Sequence, residues 1–557
     1  MESRASDKYL NISVLVTSVA VCLVIAPASS IDPFNLPKMC MLVVTTFFGV
    51  GIAFSKVEFF QSKKSRELLI VLMLFVLQLF LVLFADRRDF SLKFYGVFGR
   101  NTGFITYLCL AFLLLTSAIC ASKVLLRRYS VAVIATGTLL ALYGLAQSSG
   151  YEFYQFNNAY GSNVFGSFGN PNFQSAFMGL FAAVVFTFAL LGSASYKKKF
   201  GLFILAILAV YNISQSSQQG YFNFAAGVMA AIIVFFFSSK KSVYGWSALM
   251  ASGIVITFLL LGILNTGPLA DFVYKSSLMA RGFYWQAAMN MMLKHPLFGV
   301  GMDGFGDSYF RFRTTETALY NVSISADSAH SVPLDIGSYG GLPLFFGYVG
   351  LMVLVVISIK RVLKRAIEFD VFFAALVAAW AAYVAQSIIS INQLGLGVWG
   401  WSISGLIIGY ELNTRPSESG VFHKSTRANT SIVVKGSKMP VVLTCLFISA
   451  SLVIALPPYV AATKFYRALQ SGDPTLIQQA AYLKPNDRMR FLYVAQALQE
   501  NKYEFDAITV LRDASQIYPD SFEIWQRWSK IPSATAAEVT RAKAEMKRLD
   551  PFNPDLK

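Results

Sequence analysis

The sequence predicts an all-α polytopic membrane protein, and three features of its 557 residues lead to this fold class. Hydrophobic residues make up 55% of the chain and charged residues only 14%, which is more apolar surface than one soluble core could hide. The apolar runs are repeatedly about 17 to 22 residues long, the length at which a helix crosses a hydrocarbon layer of roughly 30 Å. Basic residues concentrate in alternate loops between these runs. We therefore expect about 12 to 13 transmembrane helices.

Apolar runs mark the individual spans. The first run is not interpreted as a cleaved signal peptide, because "APASS" is followed by a second span and no soluble mature domain. The approximate ranges of the predicted spans are 11–28, 36–55, 68–85, 103–122, 129–147, 172–192, 200–216, 219–238, 245–265, 338–359, 371–391, 396–412 and 439–458.

The net charge of +17 comes from basic residues in the loops between spans and does not indicate a nucleic-acid-binding surface. With a cytoplasmic N-terminus, the N-terminal segment and the cytoplasmic loops together hold 23 Lys and Arg, and the opposite set of loops holds 10 before residue 459. This is the bias that orients membrane proteins. It predicts an inner-membrane protein whose segment 266–335 and C-terminal tail lie on the extracytoplasmic side, and it gives no indication of a nucleic-acid partner.

Four regions are expected: membrane helices over 1–265, a periplasmic loop over 266–337, further membrane helices over 338–459 and a helical domain over 460–557. In the last region "AAYLKPND" and "DASQIYPDS" superpose with Pro485 on Pro519, a spacing of 34 residues. This is the length of a tetratricopeptide repeat. The alternative is an ordinary helical tail with a coincidental period; in either case we expect a small helical domain that docks a protein partner or an acceptor.

The long outer segment is the first place to look for a site, because long loops in compact proteins are usually functional. Its stretch "ARGFYWQAAMNMMLKHPLFGVGMDGF" begins with apolar residues at helical spacing (Phe283, Ala287, Met291) and ends rich in glycine. We predict an amphipathic helix near the membrane surface, followed by a strip folded over the spans. The polar string "NISQSSQQG" at 212–220, which includes Gln219, should face a wet cavity or another helix.

Basic residues on the outer side are candidates for binding phosphate, since the planar fork of arginine pairs with two oxygens at once. Arg281 and Arg100 stand in uncharged, aromatic contexts, which favours this interpretation. For Arg311 and Arg313 the alternative is a charge at the membrane interface or a pair with Asp303 or Asp307. Lys38 completes the predicted donor-binding set.

His330 is the candidate base. It precedes Pro333 and a glycine-rich helix start, so its imidazole can lie at the mouth of the spans and accept a proton from a hydroxyl or orient it. A lone histidine is more often structural, and this alternative stays open. All five cysteines fall within spans and are interpreted as packing residues.

No metal site and no cofactor are expected from the sequence. It contains no His-x-x-x-His, no phosphate-binding loop and no cytoplasmic domain large enough for a nucleotide. A reaction on the outer side would therefore need a substrate that arrives already activated.

The stretch "HSVPLDIGSYGGLPLFFGYVG" resembles the signature of the bacterial superfamily of O-antigen ligases, O-antigen polymerases and O-linked protein oligosaccharyltransferases. His330, Ser331 and Gly341, with Gly340 beside it, fit the spacing, whereas Leu344 stands where a further Gly, Thr or Tyr is usual. The upstream loop is similar as well, with "GRNTGFITYL" and "FGNPNFQSAF" resembling a subgroup that carries C-terminal tetratricopeptide repeats. The loop residues in the usual order are Arg281, Trp285, Pro296, Gly299 and Gly301.

The resemblance implies an inverting, metal-independent glycosyltransferase. Its donor would be a glycan on undecaprenyl pyrophosphate, with its lipid among the spans, and Arg281 with Arg100 would neutralise the leaving pyrophosphate. His330 would orient or deprotonate the acceptor hydroxyl. Family members commonly have a Ser-Arg pair where this chain has "SQSSQQG", so Gln218 or Gln219 cannot supply that charge and Arg100 or another residue would have to.

Three acceptors fit this family: a lipid A core sugar, a growing glycan or a protein Ser/Thr. The C-terminal domain slightly favours a ligase or protein glycosylation. From other classes, a lipid-linked glycan transporter or a non-catalytic scaffold are the alternatives. Against a transporter, the spans show no paired half-length segments and few ionisable residues; a scaffold would leave His330 and the outer arginines unexplained.

Overall fold

The computed structural model describes residues 2–556 except 28, 155, 157–160, 162, 264, 274–275, 321, 323 and 417–438. Within these described residues the chain forms α-helices with short 3-10 turns and no β-strand. Eleven of the described helices are long and apolar enough to cross a membrane. The predicted all-α membrane fold is therefore confirmed.

The first half of the chain is a series of membrane helices with short helices in two of the connections. They are α1 (Glu2–Leu23), α2 (Asn35–Ala53), α3 (Val57–Gln61), α4 (Arg66–Ala85), α5 (Phe90–Tyr95), α6 (Phe104–Cys120), α7 (Lys123–Ser148), α8 (Pro171–Leu191), α9 (Tyr196–Ser216), α10 (Gln219–Ser238) and α11 (Ser242–Ile263).

The long outer segment contains α12 (Ala270–Val273), α13 (Ser276–Lys294), α14 (Phe305–Phe312) and α15 (Thr315–Tyr320). Membrane helices α16 (Val332–Arg365), α17 (Val371–Ile389), α18 (Leu394–Thr414) and α19 (Met439–Ser471) follow. As its periodicity predicts, α13 buries Ala287 and Met291 against its neighbours, whereas Phe283 of the same predicted face is half-buried. It packs on α16 and so places the loop over the spans.

The centre of the bundle is α18, whose residues are buried continuously from Leu394 to Leu412. Two glycines one turn apart, Gly405 and Gly409, let it approach α6 so closely that an added Cβ would lie 2.1 Å from a backbone oxygen of Leu114 or Ala118. Small residues at this spacing bring membrane helices into contact. Two predicted spans, α6 and α18, are not among the eleven helices. Helix α6 is only 17 residues long, and the glycines and serines of α18 lower its mean hydropathy.

A second hydrophobic core holds the C-terminal helices together. They are α20 (Pro474–Ala480), α21 (Arg488–Glu500), α22 (Glu504–Ile517), α23 (Phe522–Ser529) and α24 (Ala536–Leu549). Helices α21 and α23 begin at residues 488 and 522, which reproduces the 34-residue spacing of the sequence. The assignment to tetratricopeptide repeats stays a prediction.

The C-terminal domain is joined to the membrane bundle by α19. This helix has 33 residues and is about 50 Å long, which exceeds a membrane of roughly 30 Å. Its Phe465 belongs to the C-terminal core, as do Leu92 and Val97 from the loop around α5. The ring of Phe310 packs on Phe522 with 4.6 Å between centroids. The domain therefore rests on the same loops that carry the predicted site residues.

Candidate active site

The site is built around a break in α16 at Gly341. This residue has φ +69°, and a Cβ there would lie 2.4 Å from the backbone oxygen of Pro296, so only glycine fits. The loop strip that ends α13 runs along the break: the N–H of Val300 donates to Ser338 (2.8 Å) and that of Leu342 donates to Pro296 (2.8 Å). The two glycine-rich stretches of the sequence are therefore partners in one backbone interaction.

The backbone of His330 is held by a carboxylate of the first turn of α16. Buried Asp335 accepts hydrogen bonds from the N–H of Ala329 (2.7 Å) and the hydroxyl of Ser328 (2.8 Å). The same hydroxyl oxygen accepts from the N–H of His330 at 2.9 Å. His330 has φ +52°, a conformation that non-glycine residues adopt only when their surroundings impose it. Asp335 thus fixes the position from which the imidazole projects.

The imidazole of His330 stacks on the ring of Tyr284, with 5.5 Å between centroids and 29° between planes. Burial lowers the pKa of His330 to about 4, with the positive charges of Arg100 and Arg281 adding to the effect and Asp327 opposing it. The imidazole is therefore neutral near pH 7 and has a lone pair available to accept a proton.

Arg281 lies one helical turn before Tyr284 on α13, so the two side chains share a face near His330. Burial lowers the pKa of Arg281, but a guanidinium stays charged in proteins. Within the described part of the chain it forms no ion pair with a carboxylate, in contrast to Arg100, Arg311 and Arg313. Its charge is thus available to an anionic ligand.

Arg100 forms a bidentate ion pair with Asp327 in which its Nε donates at 2.9 Å. The loop that carries Arg100 is fixed by buried Asp303, which accepts hydrogen bonds from the N–H of Val97 (2.7 Å) and the hydroxyl of Tyr339 (3.2 Å). Three segments far apart in sequence therefore meet beside His330. Because Asp327 neutralises Arg100, this arginine is less available for phosphate than the sequence indicated.

A cavity of about 820 Å³ adjoins this cluster. It is bounded by outer loops, by the start of α16, by the connection before α18 and by the C-terminal domain. Arg100 and Asp327 line it, whereas His330 and Arg281 do not belong to its lining. Arg100 and Asp327 also act on the pKa of His330, so this ion pair lies close to both the cavity and the imidazole.

Lys38 is located differently from the sequence expectation. Its side chain is fully buried, and its ammonium donates to the backbone oxygens of Cys22 and Val24, each at 2.8 Å. Phe168 covers it at 5.9 Å. The last carbonyls of a helix have no partner within the helix, and Lys38 donates hydrogen bonds to two such carbonyls at the end of α1. Its ammonium group is therefore directed at the backbone and not at a donor phosphate.

Arg311 and Arg313 contact the C-terminal domain instead of the cavity. Arg313 and Asp550 form an ion pair with both side chains fully buried, at 2.7 Å. Arg311 pairs with Asp520 at 2.9 Å. Both arginines therefore form ion pairs, as the alternative interpretation expected, but their partners are Asp520 and Asp550 instead of Asp303 or Asp307. Both arginines fasten the outer loop to the C-terminal domain, which removes them from the pyrophosphate-binding set.

Two of the other predicted supporting residues, Ser331 and Gly340, accept hydrogen bonds in the first turns of α16. Ser331 is the buried residue before α16, and its backbone oxygen accepts a hydrogen bond from the backbone N–H of Asp335 at 2.8 Å. The backbone oxygen of Gly340 accepts from Nε2 of Gln78 at 3.0 Å. Trp285 lies beside Tyr284 on α13. Gln219 is buried at the start of α10, outside the lining of the cavity, and its amide nitrogen has no hydrogen-bond partner within the described residues.

Sequence reasoning missed Tyr284 and undervalued Asp335 and Asp303. A tyrosine carries little signal in a chain that contains 26 of them. The two carboxylates are isolated in sequence, and only the fold shows that one holds the His330 loop and the other the Arg100 loop. Among the described residues no group of three or more His, Cys, Asp or Glu is arranged to bind a metal ion.

One segment of the chain matches a known protein family. Residues 172–349 match the family model described as O-antigen ligase. This range extends from α8 into α16 and includes Arg281 and His330, whereas Lys38 and Arg100 precede it. No curated protein matches the chain. The predicted resemblance to this superfamily is confirmed, and the match does not extend to the C-terminal helices.

Proposed function

We propose the reaction of this protein from the premise that residues 172–349 form an O-antigen ligase domain in an all-α membrane protein. The protein transfers a glycan from a polyprenyl pyrophosphate, namely undecaprenyl pyrophosphate, to an acceptor hydroxyl at the extracytoplasmic membrane surface. The sugar inverts its anomeric configuration because the acceptor displaces the pyrophosphate directly.

His330 acts on the acceptor. The oxygen of the acceptor hydroxyl attacks the anomeric carbon, and the bond from that carbon to the pyrophosphate oxygen breaks, with the electron pair leaving on the pyrophosphate. The hydroxyl proton passes to the neutral imidazole. Bound pyrophosphate brings negative charge towards Arg281, and this raises the pKa of His330 from its depressed value towards the working pH.

Arg281 acts on the leaving group. Negative charge on the pyrophosphate grows as its bond to the sugar breaks, so a fixed guanidinium stabilises the transition state more than the ground state. The absence of a carboxylate partner for Arg281 among the described residues supports this role. Arg100, paired with Asp327, is the second cation near the imidazole. Neither a metal ion nor a cofactor enters the proposed reaction.

We place the site on the extracytoplasmic side of the bacterial inner membrane, with the N-terminus in the cytoplasm. The excess of Lys and Arg in alternate loops supports this orientation. The C-terminal domain contacts the loops at 92–97 and 310–313, so the domain and the site lie on the same side of the membrane, as this orientation requires.

A ligase, a polymerase and an O-linked protein oligosaccharyltransferase differ only in the acceptor. We propose ligase-like transfer as the first possibility, since the C-terminal domain forms part of the cavity wall and leaves an acceptor of substantial size room to bind. Transfer to a growing glycan or to a protein Ser/Thr uses the same site residues.

The observation that carries this proposal is the position of the His330 imidazole, stacked on Tyr284 and close enough to Arg281 for the guanidinium to lower its pKa, while Arg281 forms no ion pair with a carboxylate within the described residues. The test uses purified protein in lipid nanodiscs with a glycan on undecaprenyl pyrophosphate, and it measures release of undecaprenyl pyrophosphate with candidate acceptors. Acceptor-dependent release is expected. Movement of the intact lipid between leaflets without release would instead establish the transporter alternative.

A further inference from the structure

The C-terminal domain forms one wall of the large cavity. Tyr466 and Gln470, near the end of α19, and Met489 and Tyr493 of α21 line it together with loops of the membrane domain. Tyr493 keeps 36% of its surface exposed although it belongs to a well-packed helix. The domain therefore contributes side chains to the space beside the site.

Contacts with the outer loops hold this wall in place. The buried pair of Arg313 with Asp550 and the packing of Phe310 on Phe522 fix α23 and α24. Arg488, at the start of α21, forms an ion pair with Asp307 of α14. Since α21 carries Met489 and Tyr493, the position of these two side chains relative to the cavity is set by the ion pair.

The lining carries little free charge. Its cation, Arg100, is neutralised by Asp327, and its other charged side chains are the carboxylates Asp32 and Asp335. Among the described residues, such a lining offers no unpaired cation to a polyphosphate. The pyrophosphate therefore belongs beside Arg281, and the cavity suits a part of the substrate that is uncharged.

Unused hydrogen-bonding groups indicate what that part is. Asn392 is 5% exposed and Tyr107 is 1% exposed, and both line the cavity. The amide of Asn392 faces the hydroxyl of Tyr107 without a hydrogen bond of normal geometry, and neither group has another partner among the described residues. Buried polar groups of this kind are normally satisfied, so a ligand with hydroxyl groups is the natural partner.

A groove of about 510 Å³ continues the cavity along the C-terminal domain. Met489 and Tyr493 line both spaces, so the cavity and the groove adjoin at these two residues. The groove is polar: it is lined by the amides of Gln496, Gln499 and Gln526 and by the charged side chains of Glu523, Arg527 and Lys530. Aromatic rings and amides together match the apolar faces and the hydroxyl edges of sugar rings.

We propose that the cavity and this groove form a continuous glycan-binding track, in which the C-terminal domain binds sugar units several residues away from the reacting one. Tyr493 stacks on a sugar ring where the cavity and the groove adjoin, and Asn392 with Tyr107 binds hydroxyl groups inside the cavity. The proposal rests on the proposed glycosyl transfer, and it gives the C-terminal domain a role in selecting chain length.

The first experiment compares kcat/KM of the full-length protein in nanodiscs for undecaprenyl pyrophosphate carrying one sugar and carrying several repeat units. Tyr493→Ala is expected to lower kcat/KM for the long glycan roughly fivefold, because one stacking contact is lost, and to leave the one-sugar donor unchanged. Tyr503→Ala, at an exposed tyrosine of the same domain outside the cavity and the groove, is the matched control.

A second arm varies the acceptor instead of the donor. If Tyr493→Ala lowers kcat/KM only for long acceptors, and equally little for donors of every length, the track holds the acceptor glycan. If it lowers kcat/KM only for long donors, the track holds the donor glycan. Equal activity of Tyr493→Ala and wild type on every length of both substrates would overturn the proposal, as would an equal loss on all of them.

Binding without turnover separates this proposal from the proposed function. Saturation-transfer NMR with the free oligosaccharide, released from its lipid, detects the track even if no transfer occurs. Binding by wild type that weakens in Tyr493→Ala would support the track in a protein that fails the transferase test. If wild type transfers glycan but does not bind the free oligosaccharide, the track is refuted and the proposed function stands.

Discussion

The imidazole of His330 stacks on the ring of Tyr284, although the two residues belong to different elements, a loop and α13. Tyr284 also packs against Tyr309 with 5.8 Å between centroids. The aromatic contact therefore links the imidazole to the helix that carries Arg281. The base and the cation of the proposed reaction are held by one small cluster.

Replacing Tyr284 should displace the imidazole. Tyr284→Ala is expected to lower kcat/KM for transfer by about 10- to 100-fold, because misplacing a catalytic group by about 1 Å costs this much. Tyr284→Phe keeps the ring and should keep most of the activity. Steady-state kinetics of both variants check this; equal losses would show that the hydroxyl, and not the stacking, matters.

The pKa of His330 should depend on Arg281. Removing the positive charge in Arg281→Gln is expected to raise the pKa of His330, since the guanidinium disfavours the imidazolium. The neutral form is then lost at a higher pH than in wild type. NMR titration of histidine ring signals measures this, because the chain has only three histidines and His330→Ala identifies the signal. An unchanged or lower pKa would contradict the geometry of the site.

Asp335 should position the His330 loop rather than react. Asp335→Ala removes the acceptor for both the N–H of Ala329 and the hydroxyl of Ser328, so the loop should loosen and transfer should fall. Asp335→Asn retains one acceptor oxygen and should fall less. The ring signals of His330 in the same NMR experiment should broaden in Asp335→Ala; sharp, unshifted signals together with lost activity would point to a direct chemical role for Asp335.

The ion pair of Arg313 with Asp550 should hold the C-terminal domain in place. Arg313→Met leaves a buried carboxylate without its partner and should destabilise the folded protein by about 3–5 kcal/mol. The double variant Arg313→Met with Asp550→Leu removes both charges and should recover most of this loss. Thermal unfolding and limited proteolysis between the domains compare them; a double variant as unstable as the single one would assign the effect to lost packing instead.

Hydropathy predicted the architecture because a membrane span is a local property. Each predicted apolar run coincides with a helix, including α18, whose glycines dilute the signal but mark it as a central packing helix. The 34-residue spacing predicted where the C-terminal helices recur. These features depend on residues that are close in sequence.

The site could be predicted only in part, because ion pairs depend on residues that are far apart in sequence. His330 and Arg281 lie near each other, as the resemblance implied. Arg313 pairs with Asp550, 237 residues away, and no local pattern predicts this. Lys38 likewise lies beside a helix end that only the folded bundle brings to it. A basic residue in an outer loop is thus a weak indicator of phosphate binding until its partners are known.

The most direct test of the account is transfer by His330→Ala, with His295→Ala as the matched control. His295 is the exposed histidine of the same outer segment and packs against Phe312 at 5.6 Å. Acceptor-dependent release of undecaprenyl pyrophosphate in nanodiscs is expected to vanish in His330→Ala and to persist in His295→Ala, with both variants folded. Undiminished release by His330→Ala would contradict the assignment of the imidazole as the base and, with it, the site built around the break in α16.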